Sequence, residues 1–289
     1  MRGSGTSGTL VVLESTITPG TTTGMAREIL EAESGLVAGK DFALAHAPER
    51  VMVGRLLRNI REHDRIVGGI DEVSTKRAVE LSAPVLATGN VMTATAENTF
   101  RDLQIAAVNQ LALSFEAMGV NVYACPGRGG IAEGRGGGDP LAGVGGHCLT
   151  KDTWSGCSAA RPSGRESLST LARGINDFMP AHMVHLTESA LREVGKSLKG
   201  STIALLGRAF INDSDDARNT PAGAFFEMAK AAGAEVRVHD PWVDPATSPG
   251  APPGLSRDLE GVLSGADAVV VFAGHVEYRG LEPARVKGL

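Results

Sequence analysis

Aromatic residues, cysteines and long apolar runs are all scarce in this sequence. Its 289 residues include only 4% aromatic residues and three cysteines. An odd number of widely spaced cysteines does not suggest the disulfide framework of a small secreted domain. No apolar run reaches the ~18 residues of a membrane helix, and residues 1–15 contain no apolar signal core. We therefore expect a cytoplasmic protein that does not associate with membranes.

A net positive charge is absent as well. The formal net charge is -5, and no basic stretch is interleaved with aromatic residues. These two features exclude a general attraction to nucleic acid. The hydrophobic share of 42% and the charged share of 21% are typical of globular proteins. The length is sufficient for two domains with sizeable cores.

What the chain does contain is an alternation of strand-like and helix-like segments, which indicates an α/β fold with a parallel sheet. The first group lies before residue 90. Its segments are strands at 9–16, 41–48 and 65–70 and helices at 22–35 and 72–83. No glycine-rich phosphate loop precedes the first of these strands.

A helical region separates this group from a second one. Residues 95–118 have the apolar spacing of one long helix, which could join two domains and carry a dimer surface. Residues 165–195 predict another helix, and Pro180 is expected to kink or restart it.

The α/β pattern then restarts. Its segments are strands at 201–207, 234–241 and 268–274 and helices at 219–233 and 256–267. Asp240 lies at the carboxyl end of a predicted strand, where ligands of such sheets bind. The glycine pattern after the first strand is GRAF rather than G-x-G-x-x-G, so spacing alone gives only a weak indication of a dinucleotide site.

The loop 143-GVGGHCLTKDTW-154 is the strongest candidate site. A thiolate needs nearby positive charge or backbone N–H donors, and the glycines, His147 and Lys151 offer both to Cys148. Asp152 adds an acid/base group within one turn, so Cys148 could add to an aldehyde and hold a covalent intermediate. The alternative is a buried, inert cysteine. Metal binding is disfavoured because no second ligand pair has the required spacing, and a disulfide with Cys157 would need an oxidising compartment.

Two further constellations are open to two interpretations each. Glu49 follows a proline at the end of a predicted strand and could activate water, or Glu49 and Arg50 could form a helix cap or a salt bridge. Arg218 precedes a predicted helix and could bind a phosphate. The alternative for 213-DSDDAR-218 is a solvated acidic turn with a capping aspartate.

Together these segments resemble the UDP-glucose/GDP-mannose dehydrogenase family, and within it the UDP-N-acetylmannosamine dehydrogenase branch. The resemblance extends over nearly the whole chain, and the cysteine loop is its most specific part. The strings that carry it occur in family order: 14-ESTITPGTT-22, 46-HAPERVMVG-54, 64-DRIVGG-69, 97-ENTFRDLQIA-106, 143-GVGGHCLTKDTW-154, 172-ARGINDFMP-180, 205-LLGRAF-210, 215-DDARNTPA-222 and 239-HDPWV-243.

The resemblance implies three regions in an α/β chain. Residues 1–88 would form the distal half of a Rossmann NAD-binding domain, 89–196 a central helical dimerisation region with the cysteine loop, and 197–289 a Rossmann-like UDP-sugar-binding domain. It further implies an oxidoreductase of polysaccharide biosynthesis. NAD would oxidise UDP-N-acetylmannosamine twice, through a thiohemiacetal and a thioester on the cysteine, to its uronate.

The resemblance also assigns roles to individual residues. The implied catalytic residues are Cys148 as nucleophile, Asp152 for protons and water, Glu49 for thioester hydrolysis, Asn98 for the alkoxide and Thr16 near the reacting carbon. Cofactor contacts would come from Thr16, Glu49 and Arg218. Substrate contacts would come from Arg50, Arg101, Gly143, Gly145, Gly146 and Lys151, and no metal site is implied.

The chain departs from the family pattern at three places. It starts after the family's glycine-rich dinucleotide loop, the family's oxyanion-stabilising lysine one turn before Asn98 is Ala94, and its substrate lysine after A-F is Ile211. We therefore expect a truncated member with impaired activity. A non-catalytic nucleotide-sugar-binding or subunit-assembly protein is the main alternative, and a cysteine hydrolase using Cys148 is a weaker one.

Overall fold

The computed structural model describes residues 8–18, 20–48, 66–82, 94–121, 141–159, 167–248 and 250–282. It divides into two compact units. The first consists of Met1–Phe100 and Lys151–Ser167, and the second of Arg101–Thr150 and Leu168–Leu289.

The first unit contains a three-stranded sheet. Its strands are β1 (Leu10–Leu13), β2 (Ala43–His46) and β3 (Gly68–Gly69), in the order β1-β2-β3. β1 and β2 are parallel, with Leu13 opposite His46, so their carboxyl ends meet at one edge. β3 is antiparallel to β2. The predicted parallel pairing is therefore confirmed for β1 and β2, whereas β3 is antiparallel, because the order of elements along the chain does not by itself determine the relative direction of two strands.

Two helices accompany this sheet. A short π-helical turn at Thr22–Ala26 leads into α1 (Arg27–Ser34), and α2 spans Glu72–Ser82. Gly35 ends α1 in the left-handed conformation, as the glycine at the end of the predicted segment indicated. The core of this unit is small and dominated by alanine, with Leu44 and Ala45 fully buried.

Three longer helices follow: α3 (Ala94–Ala117), α4 (Cys148–Ala159) and α5 (Leu168–Glu193). α5 continues through Pro180, so the expected restart of the helix is wrong. Pro180 is buried, as are Arg173, Asn176 and Met179 on the same face. Tertiary packing of this face outweighs the roughly 3 kcal/mol that an internal proline costs an isolated helix.

The second unit contains a four-stranded parallel sheet in the order β6-β5-β4-β7. The strands are β4 (Thr202–Leu206), β5 (Glu235–His239), β6 (Leu255–Ser256) and β7 (Ala268–Val271). Ile203, Leu205 and Leu206 on the central strand β4 are fully buried. A continuous apolar strand is typical of a parallel sheet that is covered on both faces.

α6 (Pro221–Ala231) and α7 (Leu259–Leu263) complete this α/β unit. Two residues favour the start of α6. Thr220 is the N-cap, and its hydroxyl oxygen accepts a hydrogen bond from the Ala222 N–H at 3.2 Å. Pro221 follows in the first turn, where proline is well tolerated. Phe225 and Phe226 of this helix are buried in the main core of the unit.

Asp240, directly after β5, is completely buried. One of its carboxylate oxygens accepts hydrogen bonds from the Trp242 and Val243 N–H groups at 2.8 and 2.9 Å. The other accepts from the Arg208 and Ala209 N–H groups at 2.6 and 2.9 Å and pairs with His275 Nε2 at 3.1 Å. The Asp240 carboxylate therefore connects the segment after β4 to the segment after β5.

The pKa of Asp240 reflects these contacts. Burial alone would raise it, but the hydrogen bonds from His275 and from the backbone N–H groups lower the pKa to about 2. Because the folded value lies below the ~3.9 of an unfolded aspartate, the ionised carboxylate stabilises the fold above about pH 4. This stabilisation is lost as the pH falls from ~4 toward ~2.

Asp240→Asn should lower the free energy of unfolding by roughly 3–5 kcal/mol near neutral pH, because an amide cannot accept all of these donors. Urea denaturation followed by circular dichroism near neutral pH and near pH 3 measures this. The loss should be smaller at the lower pH. The exposed Asp215→Asn is the matched control and should leave the transition nearly unchanged; an equal loss in both variants would contradict a special role of Asp240.

Candidate active site

The glycines of the loop before Cys148 pack directly against Phe210 and Pro221 because they have no side chains. A Cβ on Gly145 would come within 2.4 Å of Phe210 Cβ, and one on Gly143 within 2.8 Å of Pro221 Cβ. Gly146 has a positive φ of 83°, and a Cβ there would lie 2.9 Å from the Phe210 ring. These glycines are therefore required by close packing, whatever else they bind.

Hydrogen bonds hold the end of this loop. The Gly146 N–H donates to the carbonyl oxygen of Arg218 at 2.9 Å. The Gly146 carbonyl accepts from the Asn219 side-chain amide at 3.1 Å and from the Thr150 hydroxyl at 2.8 Å. The cysteine loop and the segment before α6 are thus joined by main-chain and side-chain contacts within the second unit.

Cys148 is the first residue of α4, and its side chain is exposed. The alternative of a buried cysteine is therefore wrong. The positive end of the helix dipole and its free N–H groups favour negative charge at this position. An exposed cysteine at a helix N-terminus has the surroundings of a nucleophile.

Arg218 lies beside this loop in an ion pair with Asp216. Its Nε donates to the two Asp216 oxygens at 2.9 and 3.1 Å, and Nη2 donates at 2.5 Å. The Asp216 side chain is 7% exposed and that of Arg218 is 58% exposed. Burial alone would raise the pKa of Asp216, but the hydrogen bonds and charge of Arg218 lower it. Asp216 thus holds Arg218 and does not cap α6, which is the task of Thr220.

A second group of predicted site residues lies in the first unit. The Asn98 side-chain amide donates to Asp152 Oδ2 at 2.7 Å. Lys151 Nζ lies 3.6 Å from Asp152 Oδ1 and donates to the carbonyl oxygen of Thr16 at 3.3 Å. Thr16 itself follows the carboxyl end of β1.

The Asp152 carboxylate is 1% exposed, yet its Oδ1 accepts no hydrogen bond from any residue that the structure describes. A buried carboxylate oxygen without a hydrogen-bond donor is costly in an isolated protein. It is therefore suited to accept a hydrogen bond from a water molecule or a substrate hydroxyl.

The other predicted site residues are distributed differently. Arg101 is exposed on α3. Ala94, where the family resemblance implies a lysine, is the first residue of α3. Ile211 is half-buried in the turn after Phe210. Glu49 and Arg50 lie outside the described residues.

Sequence reasoning missed a buried polar network that adjoins the cysteine loop. Arg173 on α5 donates to Asp102 Oδ1 on α3 at 2.6 Å and also forms an ion pair with Asp177. The Asn176 amide donates to Asp102 Oδ1 at 2.8 Å and accepts from Asn109 at 2.9 Å. Arg173 and Asp102 are 1% and 0% exposed.

This network reaches the backbone of the loop, since the Leu141 N–H donates to Asn109 Oδ1 at 2.8 Å. Asp102 and Asn109 interrupt the apolar positions on one face of the long helix 95–118, and Arg173 and Asn176 do the same in 165–195. Polar residues at core-facing positions of two helices were the signal that could have indicated the network.

One grouping in the described part of the chain has metal-ligand chemistry: Asp213, His275 and Glu277. Both ring nitrogens of His275 are already used. Nδ1 accepts from the Asp213 N–H at 2.8 Å, and Nε2 lies 3.1 Å from Asp240 Oδ2. The histidine therefore has no lone pair to offer a metal without breaking a contact of the fold.

Three family models match this chain, all of the UDP-glucose/GDP-mannose dehydrogenase family. The NAD-binding domain matches residues 4–86, the central domain 91–177 and the UDP-binding domain 204–289. An NDP-N-acetyl-D-galactosaminuronic acid dehydrogenase from Ralstonia solanacearum is 32% identical over an alignment of 304 positions, which covers 97% of this chain and 68% of that protein. The chain belongs to the UDP-glucose/GDP-mannose dehydrogenase family.

Other relatives have related names. A UDP-N-acetyl-D-mannosamine dehydrogenase from Pyrococcus horikoshii is 39% identical over 94% of this chain. The solved NDP-N-acetyl-D-galactosaminuronic acid dehydrogenase from Methanosarcina mazei Go1 is 58% identical, with a TM-score of 0.86 over 98% of this chain and 63% of that one. The chain spans 64% of the length of the Pyrococcus enzyme. Across the residues that the structure describes, no helix is long and apolar enough to cross a bilayer.

Replacing Arg173 tests the buried network. Arg173→Met should lower the free energy of unfolding by roughly 3–5 kcal/mol, because the buried Asp102 carboxylate loses the positive charge of the guanidinium. The double variant Asp102→Leu/Arg173→Met should recover much of this loss. Urea denaturation measures both, with Arg192→Met in the exposed pair with Glu188 as control. A double variant that is less stable than the single one would contradict the charge argument.

Proposed function

We propose that this chain is the catalytic-cysteine and UDP-binding portion of an NAD-dependent nucleotide-sugar 6-dehydrogenase. Its substrate would be a UDP-linked N-acetylhexosamine, with UDP-N-acetylmannosamine as the first candidate. The observation that carries this proposal is the exposed Cys148 at the start of α4, behind a glycine loop anchored to Arg218 and Asn219. The overall reaction converts a primary alcohol, water and two NAD⁺ into a carboxylate, two NADH and three protons.

The cysteine would perform the covalent part of this reaction. Bound NAD supplies the acceptor for a hydride in each of the two oxidations. The Cys148 sulfur adds to the carbonyl carbon of the aldehyde and forms a thiohemiacetal, whose oxidation leaves a thioester. Attack of water on the thioester breaks the C–S bond, releases the uronate and returns the thiolate.

Asp152 and Asn98 are suited to handle the protons and water of these steps. Asp152 Oδ2 is held by the Asn98 amide, while Oδ1 accepts no hydrogen bond from a described residue. A fixed carboxylate with one oxygen available can accept a proton from a substrate hydroxyl or from the attacking water. The family resemblance assigns Glu49 to the hydrolysis step as well.

The described residues of the first unit fit the nicotinamide side of a dinucleotide. The parallel pairing of Leu13 with His46 places the carboxyl ends of β1 and β2 at one edge, where such sheets bind cofactors. Thr16 follows that edge and offers a hydroxyl group. Thr16 would therefore hold NAD, together with Glu49 and Arg218 by family resemblance.

The second sheet has a suitable place for the UDP group. In the sheet order β6-β5-β4-β7, the strands β5 and β6 follow β4 on one side, and β7 is added on the other side of β4. The strand order therefore reverses next to β4, and parallel α/β sheets bind ligands at such a switch point. Gly207 ends β4 there, and a Cβ on it would lie 2.5 Å from the Ala273 N atom.

A homodimer is the proposed partner state. Large apolar side chains on α3 and α5 of the second unit are exposed, among them Leu111, Leu171 and Phe178. Contiguous exposed apolar residues mark interaction surfaces. Light scattering after size exclusion should give twice the mass of the chain, and a monomer at micromolar concentration would contradict this part of the proposal.

Binding and turnover separate this function from its alternative. Calorimetric titration with UDP and with NAD should show binding of each, and NADH should form from UDP-N-acetylmannosamine. UDP binding without NAD binding would favour the non-catalytic nucleotide-sugar-binding alternative. Faster turnover of UDP-N-acetylgalactosamine would instead favour the activity named for the Methanosarcina relative. Cys148→Ser should abolish uronate formation.

Ala94 is the proposed cause of slow turnover. Losing one electrostatic stabiliser of a developing oxyanion commonly costs ~10²–10³ in rate. Ala94→Lys should therefore raise the rate of NADH formation by at least ~10-fold, since a restored group seldom recovers the full effect. The control is Ala107→Lys, on the exposed side of the same helix. Equal rates in the wild type and Ala94→Lys would contradict the proposed impairment.

A further inference from the structure

Arg218 is held beside the cysteine loop in a way that directs its charge outward. Asp216, which is buried, engages Nε and Nη2 of the guanidinium. Nη1 donates no hydrogen bond to any residue in the described ranges, and the Arg218 side chain is 58% exposed. The negative end of this ion pair therefore lies inside the protein and the positive end at the surface.

The backbone connects this guanidinium to the residues next to the sulfur. The Gly146 N–H donates to the Arg218 carbonyl at 2.9 Å, and the neighbouring Asn219 side chain returns a hydrogen bond to the Gly146 carbonyl. Gly146 is two residues before Cys148. The positions of Arg218 and of the start of α4 are therefore fixed relative to each other by two hydrogen bonds.

The two charges also influence one another. The pKa of Arg218 is raised, first by its hydrogen bond to Asp216 and additionally by negative charge on Cys148. Such an interaction is reciprocal, because a thiolate that stabilises a guanidinium is stabilised by it to the same extent. Among other groups near the loop, His147 can add positive charge, Asp216 opposes the effect, and Lys151 and Asp152 follow Cys148 in α4.

We propose that Arg218 is the residue that stabilises the Cys148 thiolate, in addition to any contact it makes with a cofactor. The inference rests on the proposed role of Cys148 as nucleophile. Asp216 is a positioning residue, because it is buried and acts on the sulfur only by orienting the Arg218 guanidinium. A larger fraction of the thiol would then be ionised before any substrate or cofactor binds.

Alkylation of the free protein tests this without substrate. The rate constant for iodoacetamide at Cys148 is measured against pH by mass spectrometry of the peptide that contains it. Arg218→Gln should raise the midpoint pH of this profile by about half a unit to one unit, a value at the low end for a nearby opposite charge because Arg218 is exposed. Arg218→Lys keeps the positive charge, so its midpoint pH should rise by no more than half of the increase seen in Arg218→Gln.

Two controls make the result specific. Arg237→Gln removes the same charge from the exposed pair with Glu235 on β5, and it should leave the midpoint unchanged. Added salt should raise the wild-type midpoint and bring it toward that of Arg218→Gln, a measurement that needs no variant to fold. Equal midpoints for the wild type and Arg218→Gln, or an equal shift in Arg237→Gln, would overturn the proposal. Failure of NADH formation would contradict the proposed function but would leave this profile unaffected.

Discussion

The buried carboxylate of Asp240 is the contact on which the arrangement of the second unit depends. It binds the N–H groups of Arg208 and Ala209 at the end of β4 and those of Trp242 and Val243 after β5. Phe210 directly follows Arg208 and Ala209, and its N–H donates to the Asp216 carbonyl oxygen at 3.0 Å. One buried anion thus determines where Phe210 and Asp216 lie.

Phe210 and Asp216 in turn support the two parts of the cysteine site. The Phe210 side chain is the surface on which Gly145 and Gly146 pack, and Asp216 holds the Arg218 guanidinium. The contacts therefore form a sequence from the sheet core to the glycine loop and then to the start of α4. A change in the turn after β4 would displace both the loop and the charge beside it.

The sequence was sufficient for the elements that follow local rules. The apolar run of β4, the long spacing of α3 and the glycine after α1 were each recognisable, and the structure confirms the α/β fold class. The direction of β3, the continuity of α5 through Pro180 and the burial of Asp240 were not recognisable. All three depend on tertiary contacts between residues distant in the chain, for which periodicity carries no information.

The candidate site shows the same division between local and distant contacts. The glycines and Cys148 occur in one loop and could be found by reading along the chain, whereas the Arg218–Asp216 pair is some seventy residues away, as the Asn219–Gly146 hydrogen bond illustrates. Two positions where the family resemblance implies lysine carry Ala94 and Ile211 instead. Under the proposed function, the absence of these two cations would weaken the interactions with the oxyanion and the substrate, and it would leave the surroundings of the sulfur unchanged. Ionising the nucleophile and stabilising the transition state are separate electrostatic tasks, so the first can persist in a chain in which the second is weakened.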